Sequence, residues 1–169
     1  MAANPEPERR FLLKSRPYGP EYTNELAIFQ FYTDDKVRYR SQRPLSQPQG
    51  ETRYFRTVKT PLERGVNLED ETEIGQEEFE SQRPLFTRFV RKTRLLVPAE
   101  NGLKWEVDRF WSATLVIAEI ELPVIDYPIT LPDWMQSELI MEVTGLDQFS
   151  NYKLSNPYEH YDLDRVLSP

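Results

Sequence analysis

The stretch "EPERRFLL", residues 6–13, has the alternation of a β-strand but loads one side of it with charge. Successive strand side chains point to opposite faces, so Glu6, Glu8 and Arg10 lie together while Arg9, Phe11 and Leu13 take the other side. A side buried in an ordinary core would be apolar, so a row of three ionic groups needs another account. The same pattern recurs along the chain. Arg38 and Arg40 share a face in "KVRYR", Glu71 and Glu73 in "EDETEIG", and Lys92 and Arg94 in "VRKTRLL". Glu106 and Asp108 do so in "KWEVDRF", and Glu119 and Glu121 in "VIAEIEL", where Val116, Ala118, Ile120 and Leu122 fill the opposite face.

Around these doublets the chain reads as a mainly β protein of α+β type. Short aromatic or β-branched segments alternate with charge and are separated by turn formers. Strands are expected at 6–13, 27–31, 36–41, 53–59, 69–74, 88–96, 104–110 and 115–122, with turns at "SQPQGE", "TPLERG" and "PAENG". "GQEEFESQ" after Gly75 reads as a short helix. A second helix is expected across "LPDWMQSELIMEV", where Pro132 and Asp133 suit a start and Trp134, Leu139 and Val143 recur at roughly helical spacing.

With 169 residues the chain holds one core of ordinary domain size. The domain is taken as 1–154, with a polar, aromatic tail at 155–169. The net charge of -7, from 21 Lys and Arg against 28 Asp and Glu, argues against a general nucleic-acid binder and leaves a local basic site open. With 0 cysteines, disulfide and thiolate chemistry are excluded. No stretch approaches a membrane-spanning length and no basic segment leads into an apolar run near the N-terminus, so a cytoplasmic protein without membrane contact is expected.

One wet face of an antiparallel sheet would account for alternation alone. The doublets, however, are sorted by strand into acids and bases, whereas a merely soluble face mixes signs with Thr, Ser and Gln. Sorting argues for a lumen in which ionic sides look inward and apolar sides outward, since closed barrels can enclose a ligand. Charges buried there without partners would cost several kcal/mol each, so acids, bases, metal ions and an anion need one another. Arginine forks and lysine suit phosphate oxygens, and paired carboxylates suit Mg2+ or Mn2+. The chain has no Gly-rich phosphate loop, so side chains must grip. Arg10, Arg38, Arg40, Lys59, Lys92 and Arg94 are available.

"EPERRFLL" resembles the Glu-x-Glu-x-Lys signature of the CYTH superfamily, the triphosphate tunnel metalloenzymes. The likeness continues in order through "VRYR", "YFRTVK", "ETEI", "RKTRL", "WEVDRF", "AEIEL" and "EVTG". The resemblance implies a closed eight-stranded antiparallel β-barrel with a few helices outside, and a metal-dependent triphosphatase acting on inorganic triphosphate or a small organic triphosphate. It further implies that Glu6, Glu8, Glu119 and Glu121 hold metal, and that Arg10, Arg38, Arg40, Lys59 and Arg94 bind substrate. Lys92 and Tyr32 would act near the attacking water, with Glu71, Glu73 and Asp108 as further tunnel acids. A class IV adenylate cyclase and a non-catalytic binder of a phosphorylated metabolite are the alternatives, and homodimerisation stays open.

Five positions depart from the family pattern: Arg10 replaces a lysine, Pro7 interrupts the first motif, Glu69 stands where many members have arginine, and Gln148 with Phe149 replaces Arg and Tyr at the expected tunnel mouth. His160, the only histidine, is expected at the surface or in packing, and Trp105, Trp111 and Trp134 against the barrel wall or a helix.

Overall fold

The computed structural model describes residues 4–47, 50–111 and 113–156. Its strands are β1 (Asn4–Leu13), β2 (Asn24–Tyr32), β3 (Arg38–Pro44), β4 (Arg53–Glu63), β5 (Val66–Ile74), β6 (Arg88–Pro98), β7 (Lys104–Phe110), β8 (Val116–Glu121) and β9 (Leu139–Glu142). The first eight close into an antiparallel ring in the order β1-β5-β4-β3-β2-β6-β7-β8, and β9 is an added strand. Helix α1 (Gln76–Gln82) follows Gly75, and the segments α2 (Asp133–Gln136) and α3 (Asn151–Leu154) are single turns. Closure leaves few ladder groups unpaired, which is how barrels avoid exposed edges.

Strand β1 makes the seam. One of its edges takes β8 along Glu8–Leu13, while the other is divided between β5 at Asn4–Pro7 and β9 at Phe11–Leu13. Pro7 falls where the partner changes, and the Glu8 N–H donates to the Gly65 carbonyl at 2.7 Å. Gly65 sits at φ +74, and a Cβ there would meet Ile125 and Thr144 side-chain carbons at 2.7 Å, so only glycine lets the β4–β5 hairpin come this close.

The helix expected across residues 131–143 is shorter than its spacing implied. Only Asp133–Gln136 is helical, and Leu139–Glu142 extends as β9. The free edge of β1 beyond β5 offers ladder partners to this segment, and Arg9 clamps Glu142 in a two-bond pair at 3.0 and 2.8 Å. Tertiary pairing outweighs local helical spacing here. In the turn expected at residues 46–51, positions 48 and 49 lie outside the described residues, as does His160 together with 157–169. The start of the tail is packed, since the Phe89 N–H donates to the carbonyl of buried Ser155.

The outer faces bury as expected. Phe11, Leu13, Val107, Ala118 and Ile120 pack under Met135 and the partly buried Tyr127, Ile129 and Trp134. Phe31, Val37 and Tyr39 pack under Phe79 of α1. Trp105 meets Trp134 edge to face at 6.2 Å, whereas Trp111 is 65% exposed and packs no wall. The inner face is not ionic throughout. Leu12, Val90, Phe110 and Ile117 share it with the charges and join Leu115, Val143, Phe149 and Leu154 in a second apolar core. Residues 143–154 thus plug one end of the barrel. Phe149 belongs to this plug rather than to an open mouth, and Gln148 is exposed.

Candidate active site

Antiparallel register places directly opposed residues on one face, and following it around the ring assembles the lumen. Arg10 opposes Glu119, which opposes Glu106; Arg94 opposes Asp108; Lys59 opposes Glu69; and Thr57 stands between Arg38 and Glu71. Glu8 opposes Glu121 directly. Like charges so opposed destabilise a sheet, and two acid pairs on neighbouring strands are a local conflict that an added cation would relieve.

Next to the plug the network is buried and its charges are internally paired. The Asp108 carboxylate accepts from Arg94 Nε and Nη2, both at 2.7 Å, and from Lys92 Nζ at 2.6 Å. Arg94 also pairs with Glu106. Burial alone would raise the Asp108 carboxyl, but Arg94 and Lys92 outweigh it and hold it well below its ordinary value. Burial pulls the Lys92 ammonium down to about 8, against the attraction of Asp108 and with help from Arg94. Asn151 Oδ1, carried by the plug, accepts a second Lys92 hydrogen bond at 3.0 Å. Sequence reasoning did not single out Asn151, since no motif surrounds it. Nor did it single out Thr57, although alternation from Lys59 places it in the lumen.

Toward the other end the acids accumulate. Glu6 is pushed up to about 7 by burial and by Glu69 and Glu121, and Glu8 likewise by burial and Glu119. Burial, Glu106 and Glu119 also raise Glu121. Glu119 is the exception: burial would raise it, but Arg10, 3.0 Å away, and Arg94 hold it down to about 2. Lys59 threads among these acids, 2.6 Å from Glu69 and 3.4 Å from Glu8. Among the described residues no three carboxylate, imidazole or thiol groups converge as a ready-made metal cage. The donor set nevertheless fits a hard divalent cation, because oxygen-only ligands with uncompensated negative charge are what Mg2+ and Mn2+ take.

Cations of β3 form the opposite wall. Arg38 Nη2 donates to Thr57, Glu69 and Glu71 at 3.2, 3.4 and 3.2 Å, and Arg40 Nη2 donates to Glu71 at 2.9 Å. The Nε–H groups of both arginines are buried without a hydrogen-bond partner. Burial and the neighbouring Arg38 pull Arg40 down to about 10, whereas Glu69 and Glu71 outweigh burial at Arg38 and raise it. Tyr32 is buried beside Arg38, and its hydroxyl accepts from Gln30 Nε2 at 3.0 Å. Burial raises the phenol, with Arg38 and Lys59 opposing. Lys92 is held at Asp108 and Asn151, and Tyr32, on the paired neighbouring strand, faces Arg38 and meets Tyr152 edge to face at 5.2 Å. Glu73 faces the lumen side but lies at the rim, half exposed, in a two-bond pair with Arg53.

Two cavities lie away from this network. One of about 350 Å³ sits on the outer wall among Leu103, Trp105, Tyr127 and Ile129, and one of about 490 Å³ lies at the rim beside Arg53 and Glu73. Neither gathers the doublets.

No family model matches the chain. A 64-residue stretch, 36% of the chain, is 42% identical to an inorganic triphosphatase of Acetivibrio thermocellus, and the match spans 38% of that relative's length. The solved structure of the inorganic triphosphatase NE1496 covers 89% of the chain and 93% of its own at 26% identity, with a TM-score of 0.57. The PH1819 protein of Pyrococcus horikoshii OT3 covers 78% of the chain and 82% of its own at 22% identity, with a TM-score of 0.54. With the closed ring and its inward charges, these likenesses show a CYTH-like triphosphate-tunnel fold. Among the described residues no helix is long and apolar enough to cross a membrane.

Proposed function

We infer that this tunnel-fold chain is a metal-dependent triphosphatase that cleaves the terminal phosphoanhydride of inorganic triphosphate or a small organic triphosphate. The observation that carries the reading is the pair of buried, unpartnered Nε–H groups on Arg38 and Arg40, on the lumen face opposite an acid-rich wall. An orphaned buried donor costs about 1–3 kcal/mol, and more when charged, so a wall built this way is built for an anion. Phosphate oxygens would complete both guanidinium forks, with Lys59 and Arg94 as further cations and Arg10 beside Glu119. Both named triphosphatases among the similar proteins fit this guest.

Glu6, Glu8, Glu119 and Glu121 would hold Mg2+ or Mn2+. When bound, such an ion offsets phosphate charge and makes water a stronger acid. The chain's own residues do the rest. The clamps hold the phosphate chain extended, so that most of the acceleration comes from positioning and electrostatics. The Tyr32 hydroxyl, accepting from Gln30, keeps its own hydrogen to donate into the lumen. Lys92, with two acceptors behind it and its ammonium drawn down to about 8 by burial, serves as a donor to substrate oxygen below that pH and can take a proton from water above it.

The test is incubation of the purified protein with inorganic triphosphate and with ATP in Mg2+ and Mn2+. Orthophosphate with diphosphate from triphosphate is the expected product. Cyclic AMP from ATP would replace the reading with a cyclase, and tight triphosphate binding without any product would replace it with a binding module.

A further inference from the structure

Glu69 is a lumen acid paired with two clamp cations from different strands, Lys59 and Arg38. It opposes Lys59 across the β4–β5 ladder and gives each of its oxygens to a different cation: Oε1 lies 2.6 Å from Lys59 Nζ, and Oε2 lies 3.4 Å from Arg38 Nη2. Its side chain is 10% exposed. A carboxylate shared between two cations has the form of a phosphate group shared between them. Glu71 is different, because Arg38, Arg40 and Thr57 all hold it, so it is a fixed part of the wall. Glu69 has one short bond and one long one, and it is the member an incoming anion can displace.

We propose that Glu69 is a specificity-determining residue, an internal competitor for phosphate whose carboxylate occupies the place between Lys59 and Arg38. It thereby makes the site select polyphosphate that arrives with a divalent cation over the metal-free anion. The proposal rests on the triphosphatase reading for the identity of the guest. Metal-free triphosphate entering the lumen meets Glu69 as a like charge holding the cations it needs. A divalent cation changes the balance, because it neutralises part of the phosphate charge and offers the displaced carboxylate a new partner beside Glu6 and Glu8. The effect of one like charge at such a distance, in a partly desolvated lumen, is large enough to decide whether the metal-free anion binds.

Calorimetric titration of inorganic triphosphate into the wild type and Glu69→Gln, in EDTA and in Mg2+, tests this. The variant should bind triphosphate in EDTA at least about tenfold more tightly than the wild type, and Mg2+ should improve its affinity by a smaller factor. Glu69→Asp, which keeps the charge, should retain the wild-type dependence on Mg2+. If the wild type binds in Mg2+ but Glu69→Gln binds no better than it in EDTA, the role of Glu69 is refuted and the triphosphate reading stands. If Glu69→Asp also gains metal-free binding, a packing change is the cause and the proposal fails. No heat with either protein in either condition refutes both inferences. Should Glu69→Gln not fold, Glu69→Thr carries the same requirement.

Discussion

Replacing Asp108 by asparagine removes the anion that two buried cations share while keeping the shape of the side chain. In the native barrel Asp108 is 4% exposed at its side chain and takes three hydrogen bonds, at 2.6, 2.7 and 2.7 Å, from Lys92 and Arg94. Glu106 still neutralises part of Arg94 in the variant, but Lys92 keeps only neutral amide oxygens, that of Asn151 and that of the substituted side chain. Breaking a buried pair by removing one partner costs about 3–5 kcal/mol, because the other charge stays desolvated. In a chain of this size each kcal/mol moves the midpoint by about 2–4 °C, so Asp108→Asn should melt about 6–20 °C lower. Urea titration at neutral pH measures the free energy. The acid side supplies the sign. The folded pKa of Asp108 lies below its ordinary 3.8, so its contribution is complete above about pH 4 and is lost as pH falls through the folded value. The gap between wild type and variant should therefore shrink on acidification. A loss under about 1 kcal/mol at pH 7, or a gap that widens below about pH 4, would refute the account of the network.

Arg40→Met should leave stability within about 1 kcal/mol, because it removes a crowded cation while Glu71 keeps Arg38 and Thr57. It should nevertheless weaken triphosphate binding by at least about tenfold in calorimetry, as befits a lost charged hydrogen-bond donor. Phe149→Ala, in the plug, should cost about 3–5 kcal/mol in urea titration, since the ring is 1% exposed and packs with Leu12, Phe110 and Leu154. Removing divalent cations with EDTA should abolish phosphate release, measured colorimetrically, and added Mg2+ should restore it; turnover that persists in EDTA would remove the acids of β1 and β8 from that role.

The barrel was legible because its strands keep a strict two-residue period over long runs, and the ionic doublets marked which sides belong together. Register then did what pattern cannot, bringing Arg94 onto Asp108 and Lys59 onto Glu69. The plug was hidden for a physical reason. Leu12, Val90, Phe110 and Ile117 sit one step along the same faces as charged residues, and alternation says nothing about depth within a barrel. The strand at Leu139–Glu142 was hidden because its reason for extending is the vacant half-edge of β1, which lies more than 120 residues away in the chain. Asn151 reaches Lys92 from 59 positions further along the chain, a contact no local pattern marks.

The shared edge of β1 also bears on how the protein comes into being. Asn4–Leu13 is made before each of the strands it pairs with, β5, β8 and β9. Strand β1 must therefore wait unpaired while the β2–β6 and β6–β7 ladders assemble, and ring closure comes late in folding, as contacts of long sequence separation do. An unpaired strand end during that wait is the point at which a nascent chain of this kind would engage a chaperone or a second copy of itself.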